Sequence, residues 1–162
     1  MANVPAAPDF PVSGNPLVYV GTVDWTRADW RGRFYPDDLP EDWLLPFYNT
    51  QFQAVYLPAA VWRGAVAADW RQWLDDTRED FRFVLEPAPD SASVPASPRL
   101  LWADDAWQAA HLWWLDEAPD LRALAQRIAQ HAARGEPLFV FSRAGDLARL
   151  EQVTALRQVM GY

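Results

Sequence analysis

Short apolar runs alternate with longer amphipathic stretches along the chain. The runs are rich in β-branched and aromatic side chains, which is typical of buried strands. They cover residues 17–22, 52–57, 81–85, 99–103, 111–115 and 138–141. Apolar residues recur at helical spacing in 63–76, 119–134 and 146–160, with Gly135 as the expected stop of the second helix. Strands separated by helices predict repeated βαβ units around a mostly parallel sheet.

Two segments allow more than one interpretation. Residues 104–116 keep helical spacing through Trp107 and His111, yet 111–115 also fits a strand, and we favour the strand. Pro40 can begin a short helix that runs to Tyr48. We expect Pro46 to end or kink that helix, because proline has no N–H to donate.

Proline also divides the chain into segments. Residues 1–16 contain four prolines and no cation, which predicts a flexible arm without the features of a signal peptide. Residues 87–98 contain four prolines and three serines and predict a linker or an exposed loop. Residues 17–162 are then expected to form a single α/β domain. A complete eight-unit barrel needs roughly 250 residues, so at 162 residues either units are missing or the sheet is open.

Composition excludes several kinds of chemistry. All 14 cations are arginine, which removes a Schiff-base lysine and the lysine of a P-loop. The absence of cysteine removes thiol nucleophiles and thiolate metal sites. A net charge of −8 argues against nucleic acid as a partner. No apolar run is long enough to span a bilayer, so we expect a cytoplasmic protein with no membrane contact.

Residues 17–58 carry a distinctive order of aromatic and turn residues. The order is Tyr19-Val-Gly-Thr-Val-Asp-Trp25, then Asp29-Trp-Arg-Gly-Arg-Phe-Tyr-Pro36, Leu39-Pro40, Trp43-Leu44, Tyr48 and Phe52. It resembles the opening of the YecE-like family, a TIM-barrel domain of unknown function. A weaker similarity covers 121–160. The resemblance implies a partial or shortened TIM-barrel-like (β/α) fold whose middle units are largely absent.

The chain departs from the family pattern at the predicted strand ends. Tyr56 and Pro58 stand where the family usually has an acidic and an amide residue, and Glu86 stands near the usual place of a lysine. Ser142-Arg143 replaces a usual Asn-Asn pair. Barrel active sites are built at these ends, so the resemblance does not carry an activity over to this chain.

Aromatic residues near the first and second strands are candidates for ligand binding. Trp25, Trp30 and Tyr35 follow the first strand, and Tyr56 lies in the second. Flat amphipathic rings can stack on a sugar or a base. The same rings can instead pack as a hydrophobic plug over the barrel mouth, and we favour the plug because buried aromatics are the commoner case.

Carboxylates at predicted strand ends are the candidates for catalysis. Asp24 follows the first strand, Glu86 the third, and Asp116 the strand at 111–115. If they converge, their oxygens could bind a divalent cation or divide into an acid and a base. Arg143 is a candidate partner for an anionic ligand. The two histidines, His111 and His131, are not expected to form a metal site on their own.

These patterns lead to one main hypothesis and two alternatives. The main hypothesis is a shortened barrel relative without chemistry or cofactor of its own, which binds a second copy of itself, a protein partner or a small ligand. The first alternative is a divalent-metal-assisted hydrolase or phosphodiesterase that uses Asp24, Glu86 and Asp116. The second is a carbohydrate or base binder that uses exposed tryptophans.

Overall fold

A parallel sheet organises residues 16–162, which are the residues that the computed structural model describes. Its strands are β1 (Val18–Val23), β2 (Ala54–Leu57), β3 (Arg82–Leu85), β4 (Leu100–Trp102), β5 (Leu112–Trp114) and β6 (Leu138–Ser142). Their order is β4-β3-β2-β1-β6-β5, and every pairing is parallel. The sheet is curled into a half-barrel, which confirms the predicted fold class and all six predicted strands.

Six α-helices accompany the sheet in the described residues. They are α1 (Leu44–Asn49), α2 (Ala59–Trp62), α3 (Ala67–Asp76), α4 (Asp105–His111), α5 (Leu121–Arg134) and α6 (Leu147–Met160). Local chemistry sets several of their ends. The side chain of Asp120 accepts a hydrogen bond from the Arg122 N–H at the start of α5. Gly135, at φ 68°, ends the same helix in the left-handed conformation, as its sequence predicted.

The two faces of the sheet bury separate groups of side chains. Val18 and Val20 of β1 join the larger core, which packs against residues of α1, α3, α5 and α6. Tyr19, between them, points to the concave face and stacks on Phe139 with ring centroids 4.4 Å apart. Successive strand residues alternate between faces, so one strand supplies both cores. We call the second group, led by Tyr19 and Phe139, the concave core.

The sheet closes on one side and stays open on the other. β6 pairs with β1 from Val18↔Leu138 to Thr22↔Ser142, as the last strand of a barrel pairs with the first. β4 and β5 form the two edges, and each has one strand neighbour. The nine residues between them contain α4. Its Trp107 packs against Phe139 of the concave core at 5.1 Å, so α4 covers part of the opening.

Residues 104–116 contain both of the elements that their sequence allows. α4 occupies 105–111, and β5 begins directly afterwards at Leu112. The Asp104 side chain caps the helix by accepting from the Trp107 N–H at 2.8 Å. The predicted strand is therefore confirmed, and the helical spacing of Trp107 and His111 is also realised.

Three other segments bear on the sequence analysis. Pro46 was expected to end or kink its helix, and it does not end it: it is the third residue of α1, where the first turn needs no intrahelical N–H, and the helix continues to Asn49. The proline-rich segment joins β3 to β4 with a short 3-10 turn, Ser91–Ser93, instead of an α-helix. Of the predicted N-terminal arm, residues 1–15 lie outside the described residues. No helix of residues 16–162 is long and apolar enough to cross a membrane.

Gly21 of β1 lies so close to the neighbouring strand that there is no room for a side chain. A Cβ there would overlap the carbonyl oxygen of Ala54 and lie 2.8 Å from the Tyr48 hydroxyl. We expect Gly21→Ala to destabilise the protein by about 3 kcal/mol, because the clash is with backbone that is fixed in the sheet. Urea unfolding monitored by circular dichroism measures this loss.

Gly64→Ala is the matched control. The nearest atom to a Cβ at Gly64 is the Val61 carbonyl oxygen at 3.8 Å, which is ordinary contact. Its free energy of unfolding should change by less than about 1 kcal/mol. Equal effects of the two substitutions would contradict the close approach of β1 and β2.

Candidate functional site

An aromatic and cationic cluster lies at the carboxyl ends of three strands. Tyr56 of β2 and Trp114 of β5 face each other across the concave side, with ring centroids 5.2 Å apart. Phe141 of β6 lies 6.1 Å from both rings. The guanidinium carbon of Arg143, just after β6, lies 3.6 Å from the centre of the Trp114 ring. We call these four residues the edge cluster.

Arg143 is the charged member of the edge cluster. Burial raises the pKa of the Tyr56 phenol, with Glu86 raising it further and Arg143 lowering it, so the hydroxyl is a neutral donor at neutral pH. Arg143 lies 3.6 Å from Glu117, and the side chains of both are about half exposed or more. Such an exposed ion pair is weak. Within residues 16–162 the Arg143 side chain makes no hydrogen bond, and about half of it is exposed to solvent.

Asp24, a predicted catalytic residue, forms hydrogen bonds within its own loop. Its Oδ1 accepts hydrogen bonds from the N–H groups of Trp25 and Thr26 at 2.6 and 3.0 Å, and Oδ2 accepts from the Thr26 hydroxyl. The residue has φ 63°, a left-handed conformation that aspartate tolerates better than most residues. The carboxylate therefore shapes the turn after β1.

Glu86 caps a helix. Its Oε1 accepts from the N–H of Ala59, the first residue of α2, at 2.7 Å. Its backbone carbonyl accepts from the indole N–H of Trp62 at 2.9 Å. A carboxylate at a helix N-terminus is stabilised by the unpaired N–H groups there. Glu86 thereby joins the end of β3 to α2.

Asp116 holds the chain as it leaves β6. Its carboxylate accepts from the Ser142 hydroxyl at 3.0 Å, from the Arg143 N–H, and from the Ala144 N–H at 3.2 Å. Burial raises the pKa of Asp116, but these hydrogen bonds outweigh it, and the net shift is downward. Asp116 thus positions the backbone of Arg143 and acts on the edge cluster through it.

The three carboxylates predicted as catalytic therefore have three different structural roles. Each accepts at least one backbone N–H: Asp24 from its own turn, Glu86 from the start of α2, and Asp116 from the segment after β6. Residues 16–162 contain no group of three or more histidine, aspartate or glutamate side chains placed to hold a metal ion. Asp24, Glu86 and Asp116 are therefore not brought together as one such group.

The aromatic residues of the first loop are packed inside the protein. Trp25, Trp30 and Tyr35 are 6%, 1% and 1% exposed. The Trp30 indole N–H donates to the Gly145 carbonyl oxygen at 3.2 Å. The Tyr35 hydroxyl donates to the carbonyl oxygen of Trp25 at 2.6 Å. Burial raises the pKa of Tyr35 well above its usual value. In this position the three rings join the loop to the core, the role of a plug, and present no open face.

The edge cluster thus combines two sequence candidates with two residues that sequence reasoning missed, Trp114 and Phe141. Tyr56 and Arg143 meet at the edge cluster, but Trp114 was assigned only to a strand pattern. Its position as the last residue of β5 was the available signal, because last strand residues line the mouth of a barrel.

One cavity lies away from the strand ends. It is a groove of about 570 Å³ between α1 and α6, lined by apolar residues that include Phe34, Phe47, Phe52 and Leu150. Arg33 and Glu151 add one charge of each sign. None of the edge-cluster residues lines it, so this cavity is separate from the candidate site at the strand ends.

Comparisons with known proteins agree with the resemblance in the first half of the chain. Residues 19–93 match the model of a family described as "Protein of unknown function DUF72". Among solved structures, the crystal structure of a DUF72 family protein from Thermotoga maritima is 20% identical, with a TM-score of 0.36. The similarity covers 73% of this chain and 39% of that protein, so this chain spans well under half of its length. No curated protein matches the chain.

Asp116→Asn tests the carboxylate that positions Arg143. An amide leaves one acceptor oxygen for three donors, so we expect a loss of about 1–3 kcal/mol in the free energy of unfolding at neutral pH. The folded pKa lies below the ordinary value of 3.8. The stabilisation by Asp116 is therefore complete above that value and is lost as the pH falls through the folded pKa.

Urea unfolding at neutral pH and at about pH 3 measures both effects. The difference between the wild type and Asp116→Asn should shrink at the lower pH. Asp38→Asn, at an exposed loop position, should change the stability little at either pH. A difference for Asp116→Asn that is unchanged at low pH would refute the role of its charge.

Proposed function

We propose that the chain is a divergent member of the DUF72, or YecE-like, family, whose model matches residues 19–93, and that it acts by binding rather than by catalysis. The proposed ligand is a small anion that contains a carboxylate or a phosphate. The proposed site is the edge cluster, where Arg143 is the charged contact, Trp114 its support and Tyr56 a neutral donor.

The observation that carries this proposal is the stacking of Arg143 on Trp114. A guanidinium group presents parallel N–H donors that match the two oxygens of a carboxylate or phosphate. The indole ring supports one face of the group at 3.6 Å, and the weak, exposed ion pair of its Nε with Glu117 is the contact that an anion would compete with. Because Trp114 is held on Tyr56 and Phe141, the cation is oriented before a ligand arrives.

The occupation of the carboxylates supports binding over catalysis. A general acid or base must reach the substrate with its own oxygen. Asp24 already accepts hydrogen bonds from its own turn, Glu86 from the start of α2, and Asp116 from the turn after β6. A metal-assisted hydrolase would need these groups to leave those partners and converge. An edge cluster that binds an anion requires no such rearrangement.

Arg143→Gln should abolish binding of inorganic phosphate, the probe for this site. At ten times its dissociation constant, a ligand stabilises the folded state by about 1.4 kcal/mol, which raises Tm by a few degrees in a protein of this size. Differential scanning fluorimetry at constant ionic strength, balanced with sodium chloride, measures this rise and removes general salt effects.

Arg122→Gln is the matched control, because Arg122 is an exposed arginine at the start of α5, outside the edge cluster. Phosphate should raise the Tm of the wild type and of Arg122→Gln but not that of Arg143→Gln. Equal responses of all three proteins would show nonspecific anion binding. No response in the wild type would exclude phosphate at the edge cluster.

Self-association is a second candidate function, favoured by the open sides of the sheet. β4 and β5 are edge strands of three residues each, with one strand neighbour apiece. Unpaired strand edges can accept a strand from another chain. A second copy of this protein would cover these edges as the absent barrel units would.

This second candidate predicts a homodimer in solution. Size-exclusion chromatography with light scattering, run from low to high micromolar concentration, should show the mass shift from one chain toward two. Binding of phosphate at the edge cluster is measured separately, so the two proposals can fail independently. A constant monomer mass across the range would reject self-association.

A further inference from the structure

His131 is a fully buried histidine whose protonation state is set by its neighbours. It lies in α5 with 0% exposure. Its Nε2 is 2.9 Å from Nε of Arg127, and its Nδ1 is 3.1 Å from the carbonyl oxygens of Glu136 and Pro137. An arginine Nε always carries its proton, so Nε2 accepts and Nδ1 donates. The geometry therefore requires the neutral imidazole.

The same Arg127 holds the end of α4. Its Nη2 donates to the carbonyl oxygens of Ala109 and Ala110, at 3.2 and 3.4 Å, in the last turn of that helix. A cation is favourable at a helix C-terminus because the last carbonyl groups lack intrahelical partners. His111, the final residue of α4, contributes a second tie through Nδ1, 3.0 Å from the Pro137 carbonyl oxygen.

We propose that His131 and Arg127 form an acid-sensitive clasp that releases the C-terminal turn of α4 when His131 takes up a proton. The added proton lies on Nε2, where it faces the N–H of Arg127. The protonated His131 and Arg127 are then two cations whose N–H groups face each other at 2.9 Å in a buried position, which is electrostatically unfavourable. Arg127 withdraws and its hydrogen bonds to Ala109 and Ala110 break.

The charged groups around His131 favour this sequence of events. Arg127 and Arg134 lie on its own helix, His111 faces it from α4 at a ring distance of 6.2 Å, and Glu136 follows in the loop before β6. Glu136 is paired with Arg134 at 3.0 Å and is exposed, so it offers little compensation to a second cation. Burial, followed by the two arginines, lowers the pKa of His131 below 6.5, against the effect of its backbone acceptors.

The sign of the pH dependence follows from that direction. A buried histidine that folds in its neutral form contributes its full stability above pH 6.5, its ordinary pKa. That contribution is lost as the pH falls toward the lower folded pKa. The tie of His111 uses an N–H that is present in both of its protonation states, so its own protonation does not break it.

Release of α4 has a consequence for the concave core. α4 carries Trp107, which packs on Phe139 in the opening between the two edge strands. Loosening of its last turn is therefore expected to increase solvent access to this part of the sheet. The clasp is independent of the proposed anion site, because it contains none of the edge-cluster residues.

Hydrogen–deuterium exchange of the whole protein at about pH 7.5 and about pH 5 tests the clasp, after correction for the intrinsic exchange rate. Protection of the amides at the end of α4 should fall by about tenfold or more in the wild type at the lower pH, the effect of losing a charge-assisted hydrogen bond. His131→Gln, which can accept from Arg127 without titrating, should keep its protection at both values. His111→Gln should retain the pH dependence of the wild type.

Two further results make the outcome decisive. Arg127→Gln should have low protection at the end of α4 at both pH values, because its guanidinium is absent. If His131→Gln does not fold, histidine ring resonances of the wild type provide the second measurement. The midpoint of the His131 titration should then coincide with the loss of α4 protection. Different midpoints, or unchanged pH dependence in His131→Gln, would overturn the proposal.

Discussion

The pairing of β6 with β1 is the constraint on which the rest of the structure depends. It joins five residue pairs, from Val18↔Leu138 to Thr22↔Ser142, between opposite ends of the chain. Arg157 of α6 strengthens it by donating to the Val18 carbonyl oxygen at 3.0 Å. Because β5 pairs only with β6 in the sheet, the pairing of β6 with β1 also attaches the last third of the chain to the first third.

The edge cluster exists because of this long-range pairing. Tyr56 comes from the first half of the chain, and Trp114 and Arg143 come from the second. Arg27 adds a further link by donating to the carbonyl oxygens of Arg143 and Ala144. Asp116 holds the same turn from the other side. The backbone at Arg143 is therefore held from the segments after β1 and β5, and its side chain lies on Trp114.

The opening between β4 and β5 explains the unusual role of α4. In a complete barrel, further strands would lie between such edges. Here a seven-residue helix joins them and places Trp107 against the concave core. A short helix gains little stability from its own hydrogen bonds. Its hydrogen bonds to Arg127 and, through its own His111, to Pro137 consequently matter more than they would for a longer, better buried helix.

The sequence alone determined the strands, most helices and several helix ends, because hydrophobic periodicity and capping are local properties. Gly135 after α5 and Asp104 before α4 act on residues within one turn. Only the tertiary structure decided what Asp24, Glu86 and Asp116 do, and that Trp114 supports Arg143. Whether a carboxylate is free or occupied depends on which N–H groups the fold brings to it. Arg143 and Trp114 likewise meet only because β5 and β6 pair, a contact between residues too far apart in the chain for spacing to reveal.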